Sequence, residues 1–580
     1  SRHVMILSRS ASGVEEEADE DEGNPVLGGP ISFLPDNGRL VTSDTPGALV
    51  LQEVAAEVDE YEQRAYVKKC AACGARATRY AEILMPLHPG DDALAAVVTQ
   101  QLLEVLPPHP GAEAKPFGGR GLLSFSDNRQ DAAFFAPYFE RTGLELALRT
   151  AMTDVLQNVA EDDDFDPPLL AKKTRLRLTR SNRVALRLYD RTLSRTLKDT
   201  EIKEYLLGWV LAEFCLPAAR RIGLEALGLV GVTYASDLLT PLVGIVRQAL
   251  PPALAGEAAA LAHLFLEHSR RERAIAPLDD VELDEERIWG VEYTGPRSFG
   301  LTADTHNARF RWIPSPGRPN RRSWFLEQRL GLSPAERDRV LRSFWEKARK
   351  LDVLIPAVDF DGLVLDCQHL RFFGAANRPL YRCAVCGLHQ QISVGGKCAS
   401  FKCPGDLLEL GRDERERLTR ENHYVVQYRT GIGHIPVARE HTAAIGTTRR
   451  ESIETAFRAG EVNLLSCTTT MEMGVDLGAL EAVVCRNVPP GPANYQQRVG
   501  RAGRRAQAAP LVVTIARNGN YDQAEFRAFS DYLRRPPNVP YINIENAQFF
   551  RRHQISVVLA GYLRHRIANT ERNSPRLKHL

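Results

Sequence analysis

Between His434 and Ala516 the sequence alternates short apolar runs with helix-spaced segments, and this alternation limits the fold more than any other feature. An extended piece spans His434–Ala438 and a helix Thr447–Arg458. Apolar strands follow at Val462–Cys467 and Ala482–Arg486, then a helix at Ala493–Val499 and a strand at Leu511–Ala516. Such alternation builds a parallel sheet with helices on both faces. One more unit of the same kind stands far upstream. There the apolar run Gly121–Phe125 is followed by the turn-forming Ser126, Asp127 and Asn128, and then by Ala132, Phe135, Ala136 and Phe139 at helical spacing. This unit otherwise has no partner, so the reading is an α/β protein: a discontinuous parallel-sheet domain interrupted by a large, mainly helical insertion and a cysteine-rich module.

The length agrees. A chain of 580 residues exceeds what one hydrophobic core usually spans, and 44% apolar with 25% charged residues is an ordinary globular composition. The expected organisation is a connector region over 1–115, the first part of the sheet domain over 116–143, a helical insertion over 144–365 and a cysteine module over 366–410. The rest of the sheet domain takes 411–530 and the start of a helical accessory region 531–580. The connector holds an acidic run from Glu15 to Glu22, read as a solvated loop. No apolar run approaches the roughly 20 residues that cross a bilayer, and Ser1 in place of Met suggests an absent upstream stretch. Ten cysteines at low density, two pairs of them spaced C-x2-C, favour metal ligation in a reducing cytoplasm over disulfides.

Cys383-x2-Cys386, eleven residues, then Cys398-x4-Cys403 is a spacing that lets four thiolates surround one Zn2+, with glycines at 387, 395, 396 and 405 for the tight turns. Four thiolates leave no open position for water, so the zinc reads as structural. Cys70 and Cys73 form half of such a site: either partner cysteines lie upstream of Ser1 or are lost, or the fold brings in His88 or His109. Cys215, Cys467 and Cys485 lie in apolar surroundings and read as core residues.

The most specific segment is Gln497-Arg498-Val499-Gly500-Arg501-Ala502-Gly503-Arg504-Arg505. Arginines three apart share one side of a helical turn, and their guanidiniums match phosphate oxygens. Taken alone, R-x-x-R is more often a solvated helix end. Its context changes that reading: Thr468-Thr469-Thr470-Met471-Glu472-Met473-Gly474-Val475-Asp476 stands after a strand about twenty residues upstream. At this point the text resembles the second RecA-like domain of superfamily 2 DEAD/DEAH-box helicases. Thr468–Asp476 resembles motif V, Gln497–Arg504 motif VI, and the segment from Ser126 to Ala133 the motif IV region. Together with Glu440-His441-Thr442 and the later Arg551-Arg552-His553-Gln554 segment, the set resembles the bacterial helicases related to MrfA, which carry a further cysteine-rich domain at the C-terminus. The resemblance is strongest over about 120–142 and 430–560.

The resemblance implies that Arg501 and Arg504 are arginine fingers reaching an ATP with Mg2+ held by a first RecA-like domain. It further implies that Gln497 senses the nucleotide and holds the motif, that Gly474 allows a close backbone turn, and that Asp476 contacts the ribose or holds Arg501. Thr468 and Thr469 suit contacts to nucleic-acid phosphates without reading sequence. Asn128 and Arg129 begin a helix whose N–H groups could grip a phosphate, and Asn128 as a simple cap explains the text nearly as well.

A helicase also needs a phosphate loop and an acidic Mg2+ motif. Gly395-Gly396-Lys397-Cys398 has the wrong spacing, and Asp19–Glu22 follows no apolar strand. The first RecA-like domain is therefore expected upstream of Ser1 or on another chain, and these residues alone are expected not to hydrolyse ATP.

Two basic stretches complete the reading. Lys172 to Lys198 holds ten Lys and Arg against Asp190 alone, and is as well explained by a solvated helix face. The stretch with Arg311, Trp312, Arg321 and Arg322 interleaves cations with aromatics, as in strand-binding surfaces. The 74 basic and 73 acidic residues nearly cancel over the chain, so nucleic-acid affinity must come from such local patches. The expected function is the second motor half of a helicase acting on nucleic acid, DNA over RNA, in repair or in defence against foreign DNA. The alternative is a non-catalytic nucleic-acid-binding zinc scaffold that retains helicase architecture.

Overall fold

The computed structural model describes strand residues 3–7, 27–34, 39–41, 49–55, 57–58 and 65–66, and residues 91–568 except 159–163, 189–196, 216–222, 277, 279–280, 282–296, 303–309, 316, 359–360, 376–377, 432, 473–476, 478–479, 481, 504–509 and 537–544. The acidic run, Cys70, Cys73, His88, Gly474, Asp476 and Arg504 therefore lie outside the described residues.

Five parallel strands form the central sheet: β1 (Leu122–Phe125), β2 (Ala438–His441), β3 (Leu464–Cys467), β4 (Ala482–Cys485) and β5 (Leu511–Thr514), in the order β2-β3-β1-β4-β5. The strand that sequence leaves isolated thus lies at the centre. Leu122 and Leu123 pair with Leu464 and Leu465 on one side and with Ala482 and Val483 on the other. β2 begins at Ala438, later than the extended piece expected from His434, because Pro436 has no N–H to give to a ladder.

Side chains alternate between the two faces, as the strand repeat requires. Leu122, Ala438, Leu464, Ala482 and Val484 enter one core with Phe135 and Phe139. Leu123, Phe125, Leu465, Cys467, Val483 and Cys485 enter the other. Helix α1 (Arg129–Gln157) joins them. At 29 residues it is roughly 43 Å long, so its first turns cover the sheet and its last turns run into the insertion. The boundary expected at 143 therefore falls inside one continuous helix. Gly143 permits this packing, since a Cβ there would come within 2.3 Å of the Pro436 ring. Helix α2 (Thr447–Arg458) connects β2 to β3.

The insertion is mainly helical, with Pro167–Arg177, Arg180–Arg187, Asp199–Cys215, Ser236–Ala249, Ala258–Arg271 and Pro334–Lys350. Its core is continuous with one face of the sheet, from Phe125 through Trp209, Phe265 and Phe344. Leu370–Gly374, expected in the cysteine module, instead pairs with Val230–Tyr234 of the insertion. The module itself is a three-stranded antiparallel sheet of Tyr381–Cys383, His389–Gln390 and Leu407–Glu409. Ahead of the sheet domain, His3–Leu7, Leu27–Leu34, Arg39–Val41 and Leu49–Ala55 form a four-stranded antiparallel sheet. Among the described residues no helix is long and apolar enough to cross a membrane.

Candidate nucleotide and nucleic-acid site

In an open parallel sheet, ligands bind outside the carboxyl ends of the strands. Here those ends are Asp127 after β1, Thr468 after β3 and Asn487 after β4. Helix α3 (Pro492–Val499), with Pro in its first turn, brings the arginine motif to the same place. Arg498 is fully buried. Its Nε donates to Glu472 Oε1 at 2.8 Å, its Nη2 donates to Asp127 Oδ1, and its guanidinium lies 5.4 Å from the centre of the Phe125 ring. Burial works against the charge, but Asp127 and Glu472 outweigh it and hold the guanidinium pKa above its ordinary value.

The cluster extends through shared partners. Asn494 Nδ2 donates to Glu472 Oε2 at 3.0 Å, and Arg501 Nη2 donates to the Glu472 carbonyl at 2.6 Å. The Asp127 N–H donates to Asn487 Oδ1 at 3.2 Å, while Asn487 Nδ2 donates back to the Asp127 carboxylate. Three segments far apart in sequence are thus locked into one block.

The expected site residues separate in space. Arg501 is buried in this block. Gln497 is exposed, and it is the neighbouring Arg498 that holds the motif together. Sequence reading missed Arg498 and Glu472; the available signal was a cation inside a helix turn with a carboxylate in the preceding motif. Thr468 is buried at the end of β3, and Thr469 beside it is exposed. Asn128 is the cap of α1, accepting the Gln130 N–H at 2.9 Å, with Arg129 exposed next to it.

The aromatic and cationic stretch of the insertion requires a correction. Trp312 is wholly enclosed: its Nε1–H donates to the Leu341 carbonyl at 2.9 Å, and its ring stacks on Phe344 at 5.6 Å. Arg322 is also buried, bonded to Glu272 at 3.2 Å and lying 4.3 Å from the Trp312 ring centre. Neither can meet a strand, because packing in the core already occupies both. Arg311 lies partly buried in a short strand, and Arg321 is partly buried beside Arg322. Burial and the neighbouring guanidiniums lower the Arg321 pKa from its ordinary value.

The cysteine module brings its four expected ligands together. The Sγ atoms of Cys383, Cys386, Cys398 and Cys403 all lie within 4.8 Å of one another, with Cys383–Cys403 at 3.6 Å and Cys386–Cys398 at 3.7 Å. Tetrahedral Zn–S bonds of about 2.3 Å put sulfurs about 3.8 Å apart, so the donor set fits zinc. The Val385 and Cys386 N–H groups donate to Cys383 Sγ, both at 3.4 Å, and Gln390 Nε2 donates to Cys398 Sγ at 3.0 Å. Such donors stabilise thiolates. Gly405 is needed for space, since a Cβ there would lie 2.5 Å from Cys383 Sγ. Lys397, from the false phosphate loop, bonds Asp406 at 3.0 Å within this module. Cys467 and Cys485 are core thiols whose pKa burial pushes up, that of Cys485 to about 12.

Parts of the chain are similar to known proteins. Residues 416–506 match the helicase conserved C-terminal domain, a window that holds β2, β3, β4 and α3. Over these residues the chain is similar to the C-terminal domain of helicases. It is 40% identical over 137 residues to Druantia protein DruE of Escherichia coli, covering 21% of this chain and 8% of that protein. It is 41% identical over 71 residues to the uncharacterized ATP-dependent helicase MJ1574 of Methanocaldococcus jannaschii, covering 12% of this chain and 10% of that one. The matched stretches are thus small parts of both relatives. A solved structure of the DUF1998 helicase MrfA bound to DNA and AMPPNP is 26% identical over 24% of this chain and 19% of that chain, at a TM-score of 0.19.

Proposed function

We propose that this chain is the second motor half of an ATP-dependent helicase or translocase acting on nucleic acid, DNA over RNA. The observation that carries the reading is the Asp127–Arg498–Glu472 junction, which makes one rigid block of three motif segments at the carboxyl end of the sheet. Arg501 and Arg504 would act on the phosphates of an ATP with Mg2+ held by a first RecA-like domain, and Gln497, Gly474 and Asp476 would be the other nucleotide-contacting residues of the two motifs. Charge that develops on a transferring phosphoryl group is what such guanidiniums stabilise. Thr469, exposed at the end of β3, and Thr468, Asn128 and Arg129 would meet the strand backbone. Cys383, Cys386, Cys398 and Cys403 would hold a structural Zn2+ that braces the insertion.

The test joins this chain to its first RecA-like domain and measures ATP hydrolysis with and without nucleic acid. Arg501→Ala and Arg504→Ala should each abolish the stimulated rate and leave strand binding largely intact. Unchanged turnover would sink the motor reading and favour the zinc scaffold.

A further inference from the structure

Arg175, Arg180, Arg183 and Arg187 line one cavity of about 180 Å³ on the insertion. Arg180, Arg183 and Arg187 stand at i, i+3 and i+7 of the helix Arg180–Arg187, which places them on one face, and Arg175 comes from the preceding helix. Among the described residues one carboxylate pairs with them. Asp199 pairs with Arg175 at 3.0 Å and with Arg187 at 3.1 Å, and these guanidiniums, Arg175 foremost, hold its pKa below the usual carboxylate range. The exposed side chains of Arg180 and Arg183 have no partner among the described residues.

The opposite face of this helix is tied to the sheet domain. Ser181 Oγ donates to the Lys115 carbonyl at 2.7 Å, and Asn182 both donates to the Gly433 carbonyl at 2.7 Å and accepts the Ile435 N–H at 2.9 Å. Arg439, on edge strand β2, donates to the Leu188 carbonyl at 2.6 Å. The cationic row is therefore fixed relative to the motor sheet. Among the described residues, four guanidiniums against one carboxylate leave a surplus of positive charge on this face.

We propose that this face binds the phosphate groups of a nucleic-acid strand, with Arg180 and Arg183 as direct ligands and Arg175 and Arg187 as flanking cations positioned by Asp199. The planar guanidinium fits phosphate oxygens in pairs. From Arg180 to Arg187 the row spans roughly 10 Å of helix, more than one phosphate occupies, which suits a chain of phosphates over a single small anion. This proposal rests on the nucleic-acid reading above and adds a contact outside the helicase window of residues 416–506.

The test measures binding of the full chain to labelled single strands of several sequences by fluorescence anisotropy, across salt concentrations. Each lost phosphate contact on a single strand reduces the slope of log affinity against log salt by about 0.7, so Arg180→Gln with Arg183→Gln should reduce it by about 1.4. The wild-type advantage should then shrink about sevenfold between about 50 and 200 mM salt, equally on every sequence. The paired Arg→Lys variant keeps both charges and should keep the slope, which separates phosphate contact from misfolding. An unchanged slope in the Gln variant, with the wild type binding normally, overturns this proposal alone. Absence of strand binding by the wild type overturns it together with the nucleic-acid reading. Inorganic phosphate binding lost in the Gln variant while strand binding persists unchanged would show an anion pocket only, and overturns it too.

Discussion

The motif block at the carboxyl end of the sheet and the aromatic core of the insertion both bury an arginine, but they use it differently. Arg498 is shared between two carboxylates from separate segments, so removing it uncouples Asp127 from Glu472. Arg322 has one carboxylate, Glu272, and spreads the rest of its surface over Trp312 and Phe299, so it is mainly a packing element. A buried cation therefore marks a junction only where its partners come from different parts of the chain. The cysteine module offers a third arrangement, in which four thiolates need a metal rather than an arginine to offset their charge.

The largest effect should come from the metal. Structural zinc contributes on the order of 10 kcal/mol in small domains. Native protein should contain about one Zn per chain, and Cys383→Ser should lose it along with the thermal transition of the module. A metal-free protein with an unaltered transition would refute the site. Next, Arg498→Ala should cost about 3–5 kcal/mol in denaturant unfolding, because Glu472 is left buried without its partner. Glu472→Gln in the same background should recover part of that loss, and strict additivity of the two substitutions would remove the junction from the account.

Trp312→Ala should cost a similar amount, about 3–5 kcal/mol, through the cavity it opens. It should leave strand affinity per folded molecule unchanged. A selective loss of affinity would restore the base-stacking role that its burial argues against. The smallest expected change is Asn128→Ala, about 1 kcal/mol from loss of the α1 cap. A tenfold loss of strand affinity alongside it would support the backbone contact proposed for Asn128, and unchanged affinity would leave Asn128 as a cap alone.

Much of this molecule is legible along the chain. The period-two and helical patterns mark the sheet elements, since burying both faces of a parallel sheet forces apolar runs. The spacing of Cys383, Cys386, Cys398 and Cys403 announces one ligand set, since short turns bring near neighbours together whatever the rest does. The motif after β3 and the motif at the end of α3 mark the stretch that matches the helicase conserved C-terminal domain. Errors arose where the outcome depended on distant partners. Trp312 and Arg322 match the composition of a strand-binding surface, and only the packing of Phe344, Leu341 and Glu272 around them makes them core.

The sequence by itself determined the alternating architecture, the four-cysteine set and the place of the arginine motif, because each is encoded by residues close together. The tertiary structure alone decided that β1 lies at the centre of the sheet, that α1 joins two cores, and that Arg498 turns inward while Gln497 faces out. It also tied the helix Arg180–Arg187 to the edge of the parallel sheet, leaving Arg180 and Arg183 exposed. Burial and ion pairing are settled by residues hundreds of positions apart, and a local pattern does not contain their geometry.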